Sequence, residues 1–202
     1  INGTDKLKGS THTIIPDRIE AGTFMVAAAI TGGDVIIENV VPSHLKPVSA
    51  KLREANIEIA EELTSIHIKA GKKIKSLDIK THPYPGFPTD MQAQMTSLMA
   101  KATGTSMIVE TIFENRFMHV NELKRMGARI KIDGRSAIIE GAMKLMGTQV
   151  KATDLRAGAA LIIAALAAEG TSEMIDVEHV DRGYVSIDQK LRQLGAKIER
   201  FD

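Results

Sequence analysis

Three stretches of this chain follow one plan: an extended lead-in, an aspartate, a helix that is apolar around nearly its whole circumference, and a glycine that ends it. They are Ile15-Pro16-Asp17-Arg18, Phe87-Pro88-Thr89-Asp90-Met91-Gln92-Ala93-Gln94 and Ala152-Thr153-Asp154-Leu155-Arg156. The helices that follow are expected over about 18–30, 90–102 and 156–168, with Gly32, Gly104 and Gly170 just beyond them. A surface helix hides one stripe, whereas a helix apolar all round is buried. The spacing repeats too. It is 39 residues from Asp17 to Asn56, 37 from Asp90 to Gly127 and 41 from Asp154 to Gly195, and a short isoleucine-bearing strand follows each. Self-similarity at such a period marks a repeat architecture.

Each unit reads strand–helix–strand–helix–strand–strand. The first, over about 11–71, opens with a strand at 11–15 stopped by Pro16 and closes with a hairpin of 57–60 on 65–69. The second, 76–141, opens with a strand at 77–80, crosses a three-proline segment at 82–88, and closes with 129–132 on 137–140 across Asp133-Gly134, a favoured hairpin turn. The third, 148–202, has strands at 149–152 and 174–177, a second helix at 184–194 and a final strand at 196–200, where the chain stops one strand short. The expected fold class is α+β, an α/β repeat of three βαβαββ units in a single domain over 1–202, closed around the three buried helices. The amphipathic second helices have one face to hide. The absent last strand leaves a sheet edge that another segment must fill, or that stays open to aggregation.

Charge narrows the functional classes. The formal net charge of +1 gives no broad pull toward nucleic acid or an anionic membrane, so an anion site must be built locally from a few arginines. There is no cysteine, hence no disulfide framework and no thiolate metal site. The longest apolar run, 157–168, is far below the roughly 20 residues that span a bilayer. No secretory leader pattern is visible, and a start at Ile1 rather than Met reads as a trimmed or excised piece. The six histidines show no metal-ligand spacing, and His119 and His179 read as ordinary contacts. No phosphate-binding glycine loop is present.

Asp90 is the first candidate for chemistry. One reading makes it a helix cap that accepts from backbone N–H groups, as Asp17 and Asp154 would at the same place. The other makes it a carboxylate that takes a proton from a substrate hydroxyl. The proline-rich lead-in and the adjacent Gln92 and Gln94 set this copy apart. Arg116, in Phe113-Glu114-Asn115-Arg116-Phe117-Met118-His119, lies between a strand end and a helix, where ligand-contacting loops collect. Asp181-Arg182-Gly183-Tyr184 stands at the equivalent place of the third unit, and Arg156 enters from a helix start. Guanidinium forks match carboxylate and phosphate, so the three arginines make a candidate anion clamp.

Several of these motifs together carry a family likeness. Pro-Thr-Asp-Met-Gln-Ala-Gln at 88–94, Glu-Asn-Arg-Phe-Met-His-Val at 114–120, Ala-Thr-Asp-Leu-Arg-Ala at 152–157 and His-Val-Asp-Arg-Gly-Tyr at 179–184 closely resemble the bacterial UDP-N-acetylglucosamine enolpyruvyl transferases. Pro-Asp-Arg-Ile-Glu at 16–20 fits as well, and the likeness runs over essentially the whole chain. It implies an inside-out α/β barrel domain of the enolpyruvyl-transferase type, one of two similar domains flanking a cleft. The implied reaction moves the enolpyruvyl group of phosphoenolpyruvate to the 3′-hydroxyl of UDP-N-acetylglucosamine and releases phosphate, the first committed step of peptidoglycan synthesis, in the cytoplasm and without a cofactor, metal, nucleic acid or membrane.

By the same likeness Asp90 is the base at that hydroxyl, Thr89 lies near the sugar, and Ile112 and Phe113 lie against the uridine. Arg182 meets phosphoenolpyruvate or the released phosphate, Arg116 and Arg156 add positive charge, and Asp154 orients Arg116. The family's catalytic loop and its lysine–asparagine pair have no counterpart in this sequence, so the chain is expected to be the C-terminal portion, a half-cleft without turnover, whose partner is the missing N-terminal domain. Two rivals fit parts of the pattern: an enzyme of the same fold acting on shikimate phosphate, and a threefold scaffold module whose arginines are only surface charge.

Overall fold

The computed structural model describes residues 2–71, 73–142 and 144–201. The first third holds α1 (Arg18–Thr31), β1 (Asp34–Glu38), α2 (Lys46–Glu54), β2 (Ile57–Glu61) and β3 (Ser65–Ala70). The middle holds β4 (Ile79–Lys80), α3 (Gln92–Lys101), β5 (Thr105–Val109), α4 (His119–Arg125), β6 (Arg129–Asp133) and β7 (Ser136–Glu140). The last third holds β8 (Gln149–Lys151), α5 (Leu155–Leu166), β9 (Glu173–Ile175), α6 (Glu178–Asp181) and α7 (Ile187–Gln193).

Helices α1, α3 and α5 pack on one another at the centre, and the packing buries even the polar Gln92, Gln94, Thr96 and Ser97 of α3. Every residue of α3 from Gln92 to Ala100 is buried. Small side chains allow the close approach: α1 carries Ala21, Gly22 and Ala27–Ala29, and α5 carries Ala157, Gly158, Ala159 and Ala160. A Cβ at Gly22 would lie 2.8 Å from the sulfur of Met91. The peripheral helices hide one stripe each: Val48 and Leu52 in α2, Val120 and Leu123 in α4, Ile187 and Leu191 in α7.

Among the described residues the strands form three separate sheets. The first is antiparallel, in the order β1-β3-β2; the second runs β4-β5-β7-β6, with β4 parallel to β5; the third is the parallel pair β8-β9. Alternation sets their inner faces. In β3, Ile66 and Ile68 are buried while His67 and Lys69 point outward, and in β7 Ala137 and Ile139 are buried. The α/β repeat class and the buried helices expected from the sequence are present, and the hairpins fall within a residue of their expected limits.

Two expected strands are not. Residues 11–15 form no ladder and are exposed throughout, so neither Ile14 nor Ile15 gains the burial that would offset ordering them. Residues 196–200 form no strand either. In the first two sheets the outer strand, β2 or β6, is held only by the middle strand, β3 or β7. The third sheet has no such middle strand among the described residues, so 196–200 has nothing to pair with and β9 keeps an open edge. The helix expected over 184–194 is also shorter, because α6 and a tight bend precede α7.

One close approach fixes the end of α3 against its sheet. Gly141 follows β7, and its N–H donates to the carbonyl of Gly104 at 2.9 Å. A Cβ there would overlap the carbonyl oxygen of Ala102 and come within 2.8 Å of that of Met99, both backbone atoms. Gly141→Ala is therefore expected to cost about 1–3 kcal/mol of stability. A thermal melt reads this directly, and an unchanged midpoint would show that the α3 end can shift at no cost.

Candidate functional site

Asp17 and Asp154 cap their helices. The Asp17 carboxylate accepts from the N–H of Ile19 at 2.7 Å, and that of Asp154 from the N–H groups of Arg156 and Ala157 at 2.8 and 2.9 Å. Asp90 does not. A single 3₁₀ turn, Thr89–Met91, precedes α3, and no side chain caps it. The cap reading of Asp90 is thereby corrected: the tighter turn carries its carboxylate away from the backbone donors and leaves it for side chains.

Those side chains are two arginines. Arg116 Nη2 donates to Asp90 Oδ1 at 2.7 Å, and Arg156 Nη2 donates to Oδ2 at 3.1 Å. Arg116 comes from the loop ahead of α4, and its Nη1 also donates to Thr89 Oγ1 at 2.7 Å. Its guanidinium lies 4.9 Å from the centre of the Phe113 ring, within cation–π reach. Arg156 stands in the first turn of α5, and its Nη1 donates to the phenol of Tyr184 at 3.1 Å. Tyr184 is wholly buried, and its hydroxyl also meets Thr23 of α1 at 2.9 Å and Gln94 of α3 at 3.4 Å. One phenol thus links the three central helices to the charged cluster.

Thr89 is held from below. It donates to Glu110 Oε2 at 2.7 Å, while Glu110 Oε1 accepts from Thr81 Oγ1 at 2.9 Å and from the N–H groups of Ile112 and Phe113 at 2.8 and 3.3 Å. Glu110 is 1% exposed.

The half-buried position of Asp90 pushes its carboxyl pKa up, but the Arg116 hydrogen bond, the charges of Arg156 and Arg116 and the Arg156 hydrogen bond outweigh this and hold it below the usual carboxylate range. Burial works against the Arg156 charge, and the neighbouring Tyr184 and Asp90 more than restore it. The result is an ionised carboxylate between two fixed cations, open to solvent on one side. Such a group can accept a hydroxyl proton, and the cations can receive an anion.

The structure brings Thr89, Asp90, Arg116 and Arg156 together and places Ile112 and Phe113 on the loop beside them. It departs from expectation at Asp154. That carboxylate serves the α5 backbone, and the side-chain hydrogen bonds of Arg116 go to Thr89 and Asp90 instead. Arg182 follows α6 directly and is exposed; its backbone N–H donates to the carbonyl of Val180, and its side chain makes no hydrogen bond or ion pair among the described residues. Glu110, Thr81 and the Tyr184 hydroxyl escaped sequence reasoning. A glutamate after a strand looks like any solvent-facing residue until its four donors are seen. Among the described residues, no three histidine or acid side chains gather to hold a metal ion, and no helix is long and apolar enough to cross a membrane.

Comparison with known proteins follows the same lines. The family model for EPSP synthase (3-phosphoshikimate 1-carboxyvinyltransferase) matches residues 1–199. The UDP-N-acetylglucosamine 1-carboxyvinyltransferase 1 of Caldanaerobacter subterraneus subsp. tengcongensis is 64% identical over 200 residues, which cover 99% of this chain and 48% of that protein. The UDP-N-acetylglucosamine 1-carboxyvinyltransferase of Desulfofundulus thermocisternus is 58% identical over 201 residues, 99% of this chain and 83% of that protein. The chain spans about half the length of most of these curated relatives. Among solved structures, the enolpyruvyl transferase NikO from Streptomyces tendae superposes with a TM-score of 0.86 at 28% identity, covering 93% of this chain and 45% of its own. EPSP synthase from Acinetobacter baumannii shares the fold, with a TM-score of 0.78 at 23% identity over 94% of this chain and 48% of its own.

His119, beside the cluster, supplies a pH test. Burial, with the charge of Arg116 and against that of Asp154, pushes its pKa down from 6.5 to about 4. The unfolded chain therefore takes up this proton first. The corresponding stability is complete above about pH 6.5 and drains away as pH falls toward 4, a span worth about 3 kcal/mol. Thermal unfolding followed from pH 7 to 4 is expected to show a falling midpoint, with a shallower fall in His119→Gln. Equal slopes in the two proteins would remove His119 as the cause.

Proposed function

Because the chain belongs to the EPSP synthase (3-phosphoshikimate 1-carboxyvinyltransferase) family of enolpyruvyl transferases, we propose that it is part of an enzyme that transfers the enolpyruvyl group of phosphoenolpyruvate to the 3′-hydroxyl of UDP-N-acetylglucosamine. The relatives at 56–64% identity support that acceptor. The reading places the enzyme in the cytoplasm, at the first committed step of peptidoglycan synthesis. The observation that carries it is the Asp90 carboxylate gripped by Arg116 and Arg156.

In this reaction the sugar oxygen bonds to C2 of the enolpyruvyl unit, the bond from that carbon to the phosphate oxygen breaks, and the hydroxyl proton is finally carried by the released phosphate. Asp90 takes the proton from the hydroxyl. Thr89 borders the sugar, and Ile112 and Phe113 border the uridine. The arginines meet negative charge that builds on the phosphate as it departs, where fixed cations are most effective. The Arg182 side chain has no partner among the described residues to give up, and turns to the phosphoenolpyruvate or phosphate.

The same geometry explains how a carboxylate held below its usual range can act as a base. Arg116 and Arg156 each have one donor on Asp90. An incoming carboxylate or phosphate competes for those donors. As they turn toward it, Asp90 loses the cations that weaken its hold on a proton, and its basicity rises when the substrates are in place. Asp154 acts by capping α5, which keeps Arg156 at the site.

The other half of the cleft comes from a second domain, so the isolated chain binds weakly and does not turn over. Phosphate release from phosphoenolpyruvate plus UDP-N-acetylglucosamine tests this in the full-length enzyme. Asp90→Asn is expected to lower kcat by about 10²–10⁴-fold, the usual contribution of a positioned base. Near-normal turnover by that variant would displace Asp90 from the role. The family model's own description keeps shikimate 3-phosphate in view as an acceptor, and its failure to compete with the sugar nucleotide is the expected result.

A further inference from the structure

Glu110 is a buried carboxylate without a cation beside it. Among the described residues no lysine, arginine or histidine pairs with it, yet four donors converge on its two oxygens. The direction of each bond is fixed by its neighbours. Arg116 Nη1 can only donate, so Thr89 Oγ1 accepts from it and gives its single proton to Glu110 Oε2. The N–H of Thr111 donates to Thr81 Oγ1 at 2.8 Å, so Thr81 in turn gives its proton to Oε1. The backbone N–H groups of Ile112 and Phe113 complete the set. Both carboxylate oxygens act as acceptors throughout, and every hydrogen in the cluster has one place to go.

The chain of bonds ends at Asp90. Glu110 holds the Thr89 hydroxyl, Thr89 holds one arm of Arg116, and the other arm of Arg116 holds Asp90. Glu110 also ties down residues 112 and 113 at the start of the loop that delivers Arg116. The far side of that loop is pinned by Arg135, which donates to the carbonyl of Thr111 at 3.2 Å and to Glu114 at 2.9 Å. We propose that Glu110 is a positioning residue of the enolpyruvyl-transfer site, which sets Arg116 on Asp90 through the Thr89 hydroxyl without touching substrate itself. This rests on the functional reading above for its consequence in turnover, but not for its geometry.

The charged groups that reach Asp90 are Arg116, from the loop ahead of α4, and Arg156, from α5. Loosening Arg116 therefore removes one of the two cations that stabilise the ionised form. Glu110→Gln breaks the chain by putting an amide hydrogen where only acceptors fit. Thr89→Val breaks it one link later and changes no charge.

The sign of the outcome separates positioning from simple charge. If Glu110 acts through Arg116, both variants raise the midpoint at which Asp90 titrates. If it acts only as a nearby negative charge, Glu110→Gln relieves repulsion and lowers that midpoint, and Thr89→Val leaves it alone.

Two measurements decide it. Carboxyl NMR titration of Asp90 in this chain, without substrates, is expected to move to higher pH in both variants. In the full-length enzyme the acidic limb of the kcat/KM profile for phosphate release moves the same way, with a loss of about tenfold or more. A midpoint that falls or stays in both variants overturns the proposal, and so does an unmoved acidic limb in folded variants. Should Glu110→Gln fail to fold, Thr89→Val carries the test alone. Absence of phosphate release by the parent enzyme would instead count against the functional reading, and the titration would still decide the role of Glu110.

Discussion

One buried phenol ties the three central helices to the charged face through Arg156. Tyr184 touches Thr23 of α1, Gln94 of α3 and Arg156 of α5, so its hydroxyl is where the three central helices meet. Buried polar groups of this kind are costly when incomplete, and a shared hydroxyl ties its partners to one arrangement. Rotation of any one helix would strand a donor on the other two. The small residues of α1 and α5 let the helices come close, but dispersion between alanines is nearly indifferent to register. The phenol supplies the register, and through Arg156 it hands that register on to Asp90.

The charges around Asp90 are arranged in depth. Glu110 is buried and bonded only to neutral donors, Thr89 relays it to Arg116, and Asp90 stands at the open end. Arg116 therefore lies between two acids, one enclosed and one accessible. Burial raises the cost of ionising Asp90, and the two guanidiniums more than repay it. The accessible acid is held in a state that an anionic ligand can release, whereas the enclosed one has no such competitor.

Much of this was legible from the residues. Apolar patterning located the buried helices, the Asp17 and Asp154 caps followed from their place before those helices, and Asp133-Gly134 marked a hairpin that does form. What escaped depends on distant partners. Residues 11–15 and 196–200 have strand-like composition, but a strand exists only where another lies beside it, and neither has one. Asp90 matched Asp17 and Asp154 in position, yet one 3₁₀ turn redirected it, and no local signal distinguishes that turn from a first helical turn. Glu110 was invisible because its meaning lies in residues 29 and 21 positions back along the chain.

That turn makes the three copies unequal. In the outer two, the acid is part of how its helix begins, and a cap of this kind is worth about 1 kcal/mol. In the middle copy the helix starts without help from its acid. Helix initiation is thereby separated from the acid at position 90: α3 begins without the cap that α1 and α5 draw from Asp17 and Asp154, and Asp90 is held by Arg116 and Arg156 instead. A repeat protein that uses two of its acids to start helices has a third that faces side chains and solvent.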